Sequence, residues 1–297
     1  MRLRVIDIGG TKISSAIWSD GVLSEKVRHP TAKDVAGFEL TLHDLVSRTP
    51  DLQGVAVAAT GFTDGHTMRS VNREMIAFWD RYPLRATLQK STAIPVILIN
   101  DAQAAAWGEY VALKEPSDDL LFITLSTGVG GGLILNGQLR SGKRGLGGHI
   151  GHIRSVVEPI DGQQHCSCGQ WGCIETVASG VALERQASKI RKQQTNAAAV
   201  HALADTGDEA MCALLKNAAD AVAALVLQLS VTLDLQHIVI GGGVGLSPLT
   251  AKLLSEAVDA SPLQLLKVDI KRAQLGHDAG LVGAGYLLAK RLTATST

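Results

Sequence analysis

The 297 residues carry 28 lysines and arginines against 28 aspartates and glutamates, a formal net charge of zero, with charged residues at 19% and hydrophobic ones at 46%. So balanced a chain has no basic face for a nucleic-acid backbone or an anionic membrane, and so apolar a chain is not disordered; about two globular domains are expected. The apolar start Leu3–Ile6, interrupted by Arg4 and stopped at Asp7, forms no signal peptide, which predicts a cytoplasmic protein.

A strand over Arg2–Ile6, a Gly9-Gly10 turn, a strand over Lys12–Trp18 and an Asp20-Gly21 turn into a third strand from Val22 predict a β-meander. An Asp34 cap then opens a helix with Val35, Phe38, Leu42, Leu45 and Val46 on one face, ending at Thr49-Pro50. Gly54–Ala59 and Val96–Ile99 read as buried strands, and a helix from Ala102 to about Leu113 follows the second. After the polar break at 114–119 the pattern restarts: a strand over Leu120–Leu125, a glycine turn, a strand over Gly132–Leu135 and an Asn136-Gly137 hairpin signal. Helices are expected over about Val177–Lys192, Ala197–Leu203 and Asp208–Val231; the most apolar stretch, Ala213–Leu235, is interrupted by Lys216, Asp220, Gln228 and Asp234, short of a clean membrane span, and reads as a buried helix. A strand His237–Ile240, the run Gly241-Gly242-Gly243, a helix begun by Ser247-Pro248, a strand Leu266–Lys271 and a helix capped by Asp278 close the chain. The fold class is α/β in two lobes, 1–116 and 117–297, each with a mixed sheet and flanking helices, the last helix at about 279–292 packing back on the first lobe.

Thirty-one glycines against Phe 4, Trp 4 and Tyr 3 make close backbone approach more important than aromatic anchoring. Both halves place a polar glycine turn between two strands, at Asp7-Ile8-Gly9-Gly10-Thr11-Lys12 and at Ser126-Thr127-Gly128-Val129-Gly130-Gly131-Gly132. Such turns bring backbone N–H groups and the Thr11, Ser126 and Thr127 hydroxyls up to phosphate oxygens, and two of them facing each other would clamp a triphosphate. Neither is a P-loop or a dinucleotide fingerprint. Asp101 ends a strand and begins a helix, where the local sequence favours a capping role and where open α/β sheets also bind ligands. Cys166, Cys168 and Cys173 lie on a loop that Gly169 and Gly172 can fold around one ion; a tetrahedral site needs a fourth ligand, for which His152 and His165 are the candidates. Cys212 reads as a packed core cysteine.

The order of these features, Asp-x-Gly-Gly-Thr-Lys, Ser-Thr-Gly-x-Gly-Gly-Gly and a late Gly-Gly-Gly before a capped helix, resembles the actin-like ATPase and sugar-kinase superfamily. Gly148-His149-Ile150-Gly151-His152 followed by Cys166-Ser167-Cys168-Gly169-Gln170-Trp171-Gly172-Cys173-Ile174-Glu175 is similar to the zinc signature of the ROK family (repressor, open reading frame, kinase). The resemblance implies an actin-like ATPase or sugar-kinase fold and ATP held by Asp7, Gly9, Gly10, Thr11, Lys12, Thr127, Gly128, Gly130, Gly131 and Gly132, with Gly242 and Gly243 at the adenosine. It implies Mg2+ beside Asp7, Asp101 of Asn100-Asp101-Ala102 as the catalytic base, and a structural Zn2+ on His152, Cys166, Cys168 and Cys173. It also implies a sugar held by Gly61, Asn100, Asp101, His149, His152 and Glu175, and a homodimer. Two departures qualify it. His149 stands where most sugar kinases of the family have glutamate, and Met75 stands where the sugar loop at 71–79 has asparagine, although Trp79 is kept. With His149 and the stretch Ile99–Trp107, the chain looks most like the branch that phosphorylates N-acetylmannosamine in sialic-acid (N-acetylneuraminate) catabolism. Another hexose or amino sugar, such as N-acetylglucosamine or glucose, is the alternative. A sugar-sensing repressor is the rival from another class, and six residues before Asp7 leave it no room for a helix-turn-helix.

Overall fold

A computed structural model describes residues 1–47, 49, 51–71, 76–113, 118–235, 237–262 and 268–294. Contacts divide them into two compact units: 1–114 with 139–147 and 277–297, and 115–138 with 148–276.

In the first unit the meander forms as β1 (Arg2–Ile8), β2 (Lys12–Ser19) and β3 (Val22–Pro30), followed by α1 (Val35–Ser47), β4 (Gly54–Ala59), the short β5 (Phe62–Thr63), β6 (Met68–Arg69) and β7 (Asp80–Tyr82), α2 (Leu84–Gln89), β8 (Val96–Asn100) and α3 (Asp101–Ala112). The main sheet runs β3-β2-β1-β4-β8, antiparallel across β1–β3 and parallel from β1 to β4 to β8. Its central strands are apolar on both faces because each face is covered. Ile6, Ile8, Val55 and Val57 pack with α1, α2 and Trp79, while Leu3, Val5, Ala56 and Ala58 pack with the last helix of the chain. Phe38, Leu42, Leu45 and Val46 of α1 are buried as the periodicity predicts, but Val35, at the first turn, is exposed. Trp79 is a core residue with 1% of its surface exposed. Asn72–Met75 of the sugar loop lie outside the described residues.

The second unit takes β9 (Leu120–Leu125), β10 (Val129–Leu135) and β11 (Gln138–Leu139), where the chain crosses back to the first unit for residues 139–147. It continues through α4 (Glu175–Ala178), α5 (Gly180–Arg191), α6 (Ala197–Asp205), α7 (Glu209–Leu233), β12 (His237–Gly241), α8 (Gly242–Gly245), α9 (Pro248–Asp259) and β13 (Asp269–Arg272), and α10 (Ala279–Ala294) ends the chain in the first unit. The second sheet has the order β11-β10-β9-β12-β13.

Several local expectations change. The helix read from Val177 splits into α4 and α5 at Ser179, whose extended backbone and side chain, accepting from the Ala182 N–H at 3.0 Å, start a new helix. Ser247 precedes Pro248, but its hydroxyl meets His201 Nδ1 at 3.0 Å instead of capping α9. The Asp278 carboxylate pairs with Lys26 Nζ at 2.6 Å. Of the last strand, Leu266 and Lys267 lie outside the described residues and β13 starts at Asp269. α7 is, by length and composition alone, apolar enough to cross a membrane, but the structure places it as the buried helix expected from the sequence. Leu214, Leu215, Val222 and Val226 on it are buried in the core of the second unit, the ordinary place for such a helix.

Candidate functional site

In the first unit, β1 carries Asp7 to the mouth of a cleft of about 470 Å³ that is also lined by Gly9, Lys12, Arg28, Asp101 and Asp278. The hairpin after β1 closes on itself through the Gly9 N–H to Lys12 carbonyl bond at 2.9 Å. Thr31, which no sequence pattern singles out, locks it: its N–H donates to the Thr11 carbonyl at 3.1 Å and its hydroxyl to the Gly9 carbonyl at 2.7 Å. A side chain at Gly9 would meet only the Lys12 carbonyl, at the ordinary distance of 3.4 Å. No packing need explains that glycine, and the open face it leaves suits a ligand.

β8 delivers Asn100 and Asp101 together. The residue that caps α3 is Asn100: its Oδ1 accepts from the Gln103 N–H at 3.0 Å, so the capping role read for Asp101 is corrected. Asn100 Nδ2 donates to the Gly61 carbonyl at 2.7 Å and to Asp101 Oδ1 at 2.9 Å, and the Ala102 N–H donates to the same Oδ1 at 2.8 Å. Gly61 has φ +93°, and any side chain there would strike the Arg69 carbonyl, so glycine is required for that contact with Asn100. Asp101 is thus aimed by two donors at one oxygen. Burial pushes its pKa up while the bonds from Ala102 and Asn100 pull the other way. Asp7 is pushed up to about 7, by burial first and then by the charge of Asp101, against the pull of Lys12. Gln103 is another residue the sequence left without a role: its amide donates to the Gly145 and Gly147 carbonyls at 3.1 and 2.7 Å, pinning the returning 139–147 segment onto the first turn of α3. Its place directly after Asp101-Ala102 was the available signal.

The second unit gathers His152, Cys166, Cys168 and Cys173, with ligand atoms all within 4.8 Å of one another. Cys166 Sγ lies 3.5 Å from His152 Nδ1, and Cys168 Sγ 3.5 Å from Cys173 Sγ. His165 turns aside and stands edge-on to Trp171, their ring centroids 5.3 Å apart. Burial and crowding among the sulfurs push the Cys166 and Cys173 thiols up; a cation supplies the charge that would hold them as thiolates. The donor set, three thiols and an imidazole nitrogen, fits a closed tetrahedral Zn2+ site.

His149 and His152 flank Ile150 and Gly151 in one 3-10 turn, and the loop ends in Glu175, the first residue of α4. This turn lies on β10. A side chain at Gly131 would stand 2.8 Å from Ile150 and 2.9 Å from the Gly148 carbonyl, one at Gly148 would stand 2.9 Å from the Gly132 Cα, and one at Gly151 would strike the Val129 carbonyl. A side chain at Gly128 would lie 2.7 Å from Glu175 Oε2, which accepts from the Val129 N–H at 3.1 Å. Gly131 of the second hairpin, read from sequence as part of a phosphate cradle, is therefore also needed to let the Gly148–His152 turn lie on the sheet. Of the adenosine pair, Gly242 rests on the Leu125 carbonyl and Gly243 faces open space.

The ROK family profile matches residues 4–291. The chain is 38% identical over 290 residues to an N-acetylmannosamine kinase of Vibrio cholerae, covering 96% of this chain and 99% of that protein. Among solved structures it is similar to a ROK hexokinase from Thermus thermophilus, 31% identical with a TM-score of 0.86, over 98% of this chain and 100% of that one. It is also similar to a ROK family glucokinase from Streptomyces griseus in complex with glucose and AMPPNP, 28% identical with a TM-score of 0.81, over 97% and 99% of the two chains.

Proposed function

The chain belongs to the ROK family, and from that premise we propose that it is a kinase that transfers the γ-phosphoryl group of ATP to the 6-hydroxyl of N-acetylmannosamine. The observation that carries this reading is the near full-length match to the Vibrio cholerae N-acetylmannosamine kinase. The half-buried Asp101, held by Asn100 and the Ala102 N–H, supports the chemistry. The bonds from Asn100 and the Ala102 N–H both fall on Oδ1, and Oδ2 is the oxygen proposed to face the substrate. The hydroxyl proton passes to Asp101 as the sugar oxygen attacks the γ-phosphorus and ADP leaves; a carboxylate raised above its ordinary range by burial is a better base for that step near neutral pH. Asp7 is the residue to hold Mg2+ or its waters beside the phosphates, where the ion neutralises charge on the transferring group. Lys12, in the same cleft, adds a second cation.

Gly61, Asn100, Asp101, His149, His152 and Glu175 are the residues proposed to bind the sugar. Zn2+ on His152, Cys166, Cys168 and Cys173 has a structural role, because four protein ligands leave no open position, and the ion fixes the loop that ends in Glu175. His149, where most sugar kinases of the family have a carboxylate, offers when neutral one donor and one acceptor, and its proposed role is to read the C2 acylamino group. A cytoplasmic homodimer acting in sialic-acid catabolism completes the reading.

A substrate panel tests it. N-acetylmannosamine is expected to exceed N-acetylglucosamine and glucose in kcat/KM by about 10-fold to 100-fold, the discrimination that one mispaired buried polar group supplies. His149→Glu should shift the ratio towards the other two. A wild-type preference for glucose would overturn the substrate and leave the kinase standing.

A further inference from the structure

Glu175 has a partner that sugar binding does not explain. Its Oε2 accepts from the Val129 N–H, on the hairpin proposed to hold the phosphates, at 3.1 Å. Val129 stands opposite Leu125 at the end of the β9–β10 ladder, where the hairpin opens. The same carboxylate lies against Gly128, where a side chain would stand 2.7 Å from Oε2. The other side of the turn is held by the start of α5: the Gly180 N–H donates to the Ser126 carbonyl at 2.7 Å and the Val181 N–H to the Thr127 carbonyl at 3.3 Å. Those two bonds are between backbone groups and neutral. Glu175 ties the hairpin with a carboxylate side chain, a group that can exchange partners.

We propose that Glu175 is a latch that sugar releases: without sugar its carboxylate occupies the Val129 N–H and sets a negative charge at the hairpin's mouth, and a sugar hydroxyl that draws the carboxylate away opens the hairpin to the phosphates of ATP. The inference rests on the proposed function and deepens it, because it makes the sugar the gatekeeper of the nucleotide. On this reading the Val129 N–H also serves the phosphates, so phosphate binding and the Glu175–Val129 bond exclude each other. The benefit is chemical. A kinase that took up ATP with no acceptor in place would expose the γ-phosphate to water, and a hairpin closed until sugar arrives avoids that hydrolysis. The loop gives the latch its reach: Glu175 follows Cys173 by two residues, and the Thr176 hydroxyl donates to the Cys173 carbonyl at 2.7 Å, so the metal-ligand loop and the latch move as one piece.

The test is calorimetric titration of full-length, zinc-loaded protein with Mg2+ and AMPPNP, with and without N-acetylmannosamine, for wild type, Glu175→Gln and Glu175→Ala. In wild type the sugar should tighten nucleotide binding by about 5-fold or more, within the usual range of coupling between sites, and the nucleotide should tighten sugar binding by the same factor. In the absence of sugar both variants should bind the nucleotide at least as tightly as sugar-bound wild type. That direction separates a latch from a strut, because loss of a merely structural contact would loosen the hairpin and weaken binding. Variants that bind sugar-free nucleotide no better than wild type overturn the latch. Wild type that phosphorylates the sugar but shows equal nucleotide affinity with and without it also overturns the latch and leaves the function intact, whereas a wild type that binds neither ligand overturns both.

Discussion

The two glycine hairpins read alike in sequence and are built for different reasons. In the first, a side chain at Gly9 would meet only the Lys12 carbonyl, Thr31 locks the turn, and the neighbouring groups are Asp7, Lys12 and Asp101. In the second, Gly128 and Gly131 lie against Glu175, Ile150 and the Gly148 carbonyl, so the same residue type serves packing of the metal-ligand loop. A glycine run thus reports close approach without saying what approaches. The first hairpin shares a cleft with Asp7, Lys12 and Asp101, and the second is tied to the loop that carries the proposed sugar ligands.

The sharpest way to break this contrast is at Asp101. Asp101→Asn preserves the bonds from Ala102 and Asn100 to its Oδ1 and the cap, which belongs to Asn100, while removing the base. Turnover should fall by about 100-fold or more with AMPPNP binding kept, measured by initial rates and calorimetry. Near-normal turnover would remove Asp101 from the chemistry.

The second region is tested through its candidate metal site. Purified protein should contain about one zinc per chain, and chelation should raise the sugar KM by about 10-fold or more while the first hairpin stays folded. Protein never exposed to chelator and found free of metal would refute the site. His152→Ala should empty it, and His165→Ala should leave it filled, since His165 is engaged with Trp171.

Paired glycine substitutions sharpen the contrast directly. Gly131→Ala forces a methyl into 2.8 Å contact with Ile150 and should destabilise the fold by about 1–3 kcal/mol, seen in denaturant melts. Gly9→Ala should melt within about 0.5 kcal/mol of wild type, as a surface change does, yet weaken nucleotide binding. Equal destabilisation by the two would erase the distinction.

The smallest effect is the pH dependence of Asp7. Its pKa of about 7 in the fold lies above its unfolded value, so the folded state favours the neutral acid. That contribution is fully present below about pH 4 and is lost as pH rises through 7, while Mg2+ binding, which needs the carboxylate, improves over the same window. Asp7→Asn should therefore gain Tm relative to wild type between pH 5 and pH 8 in ligand-free protein. A difference that does not change with pH would show that Asp7 is not raised.

Much of this was legible in one dimension. Alternation and turn residues locate the meander and most helices because those preferences act within a few residues: Phe38, Leu42, Leu45 and Val46 face one way in any α-helix, whatever it packs against. Spacing marks three cysteines as ligands of one ion because the loop that joins them is short. The choice of His152 over His165 belongs to tertiary structure, because a histidine beside a cysteine in sequence can turn its ring either way, and here it turns to Trp171. So does the transfer of the cap from Asp101 to Asn100, two adjacent acceptors of which only one reaches the Gln103 N–H. The bond from Glu175 to Val129, across 46 residues, is set by where α4 meets the second hairpin, a placement fixed by packing that no local pattern encodes. Local preferences determined the elements and the chemical types at the site; which of those groups meet was decided by burial, which only the assembled chain defines.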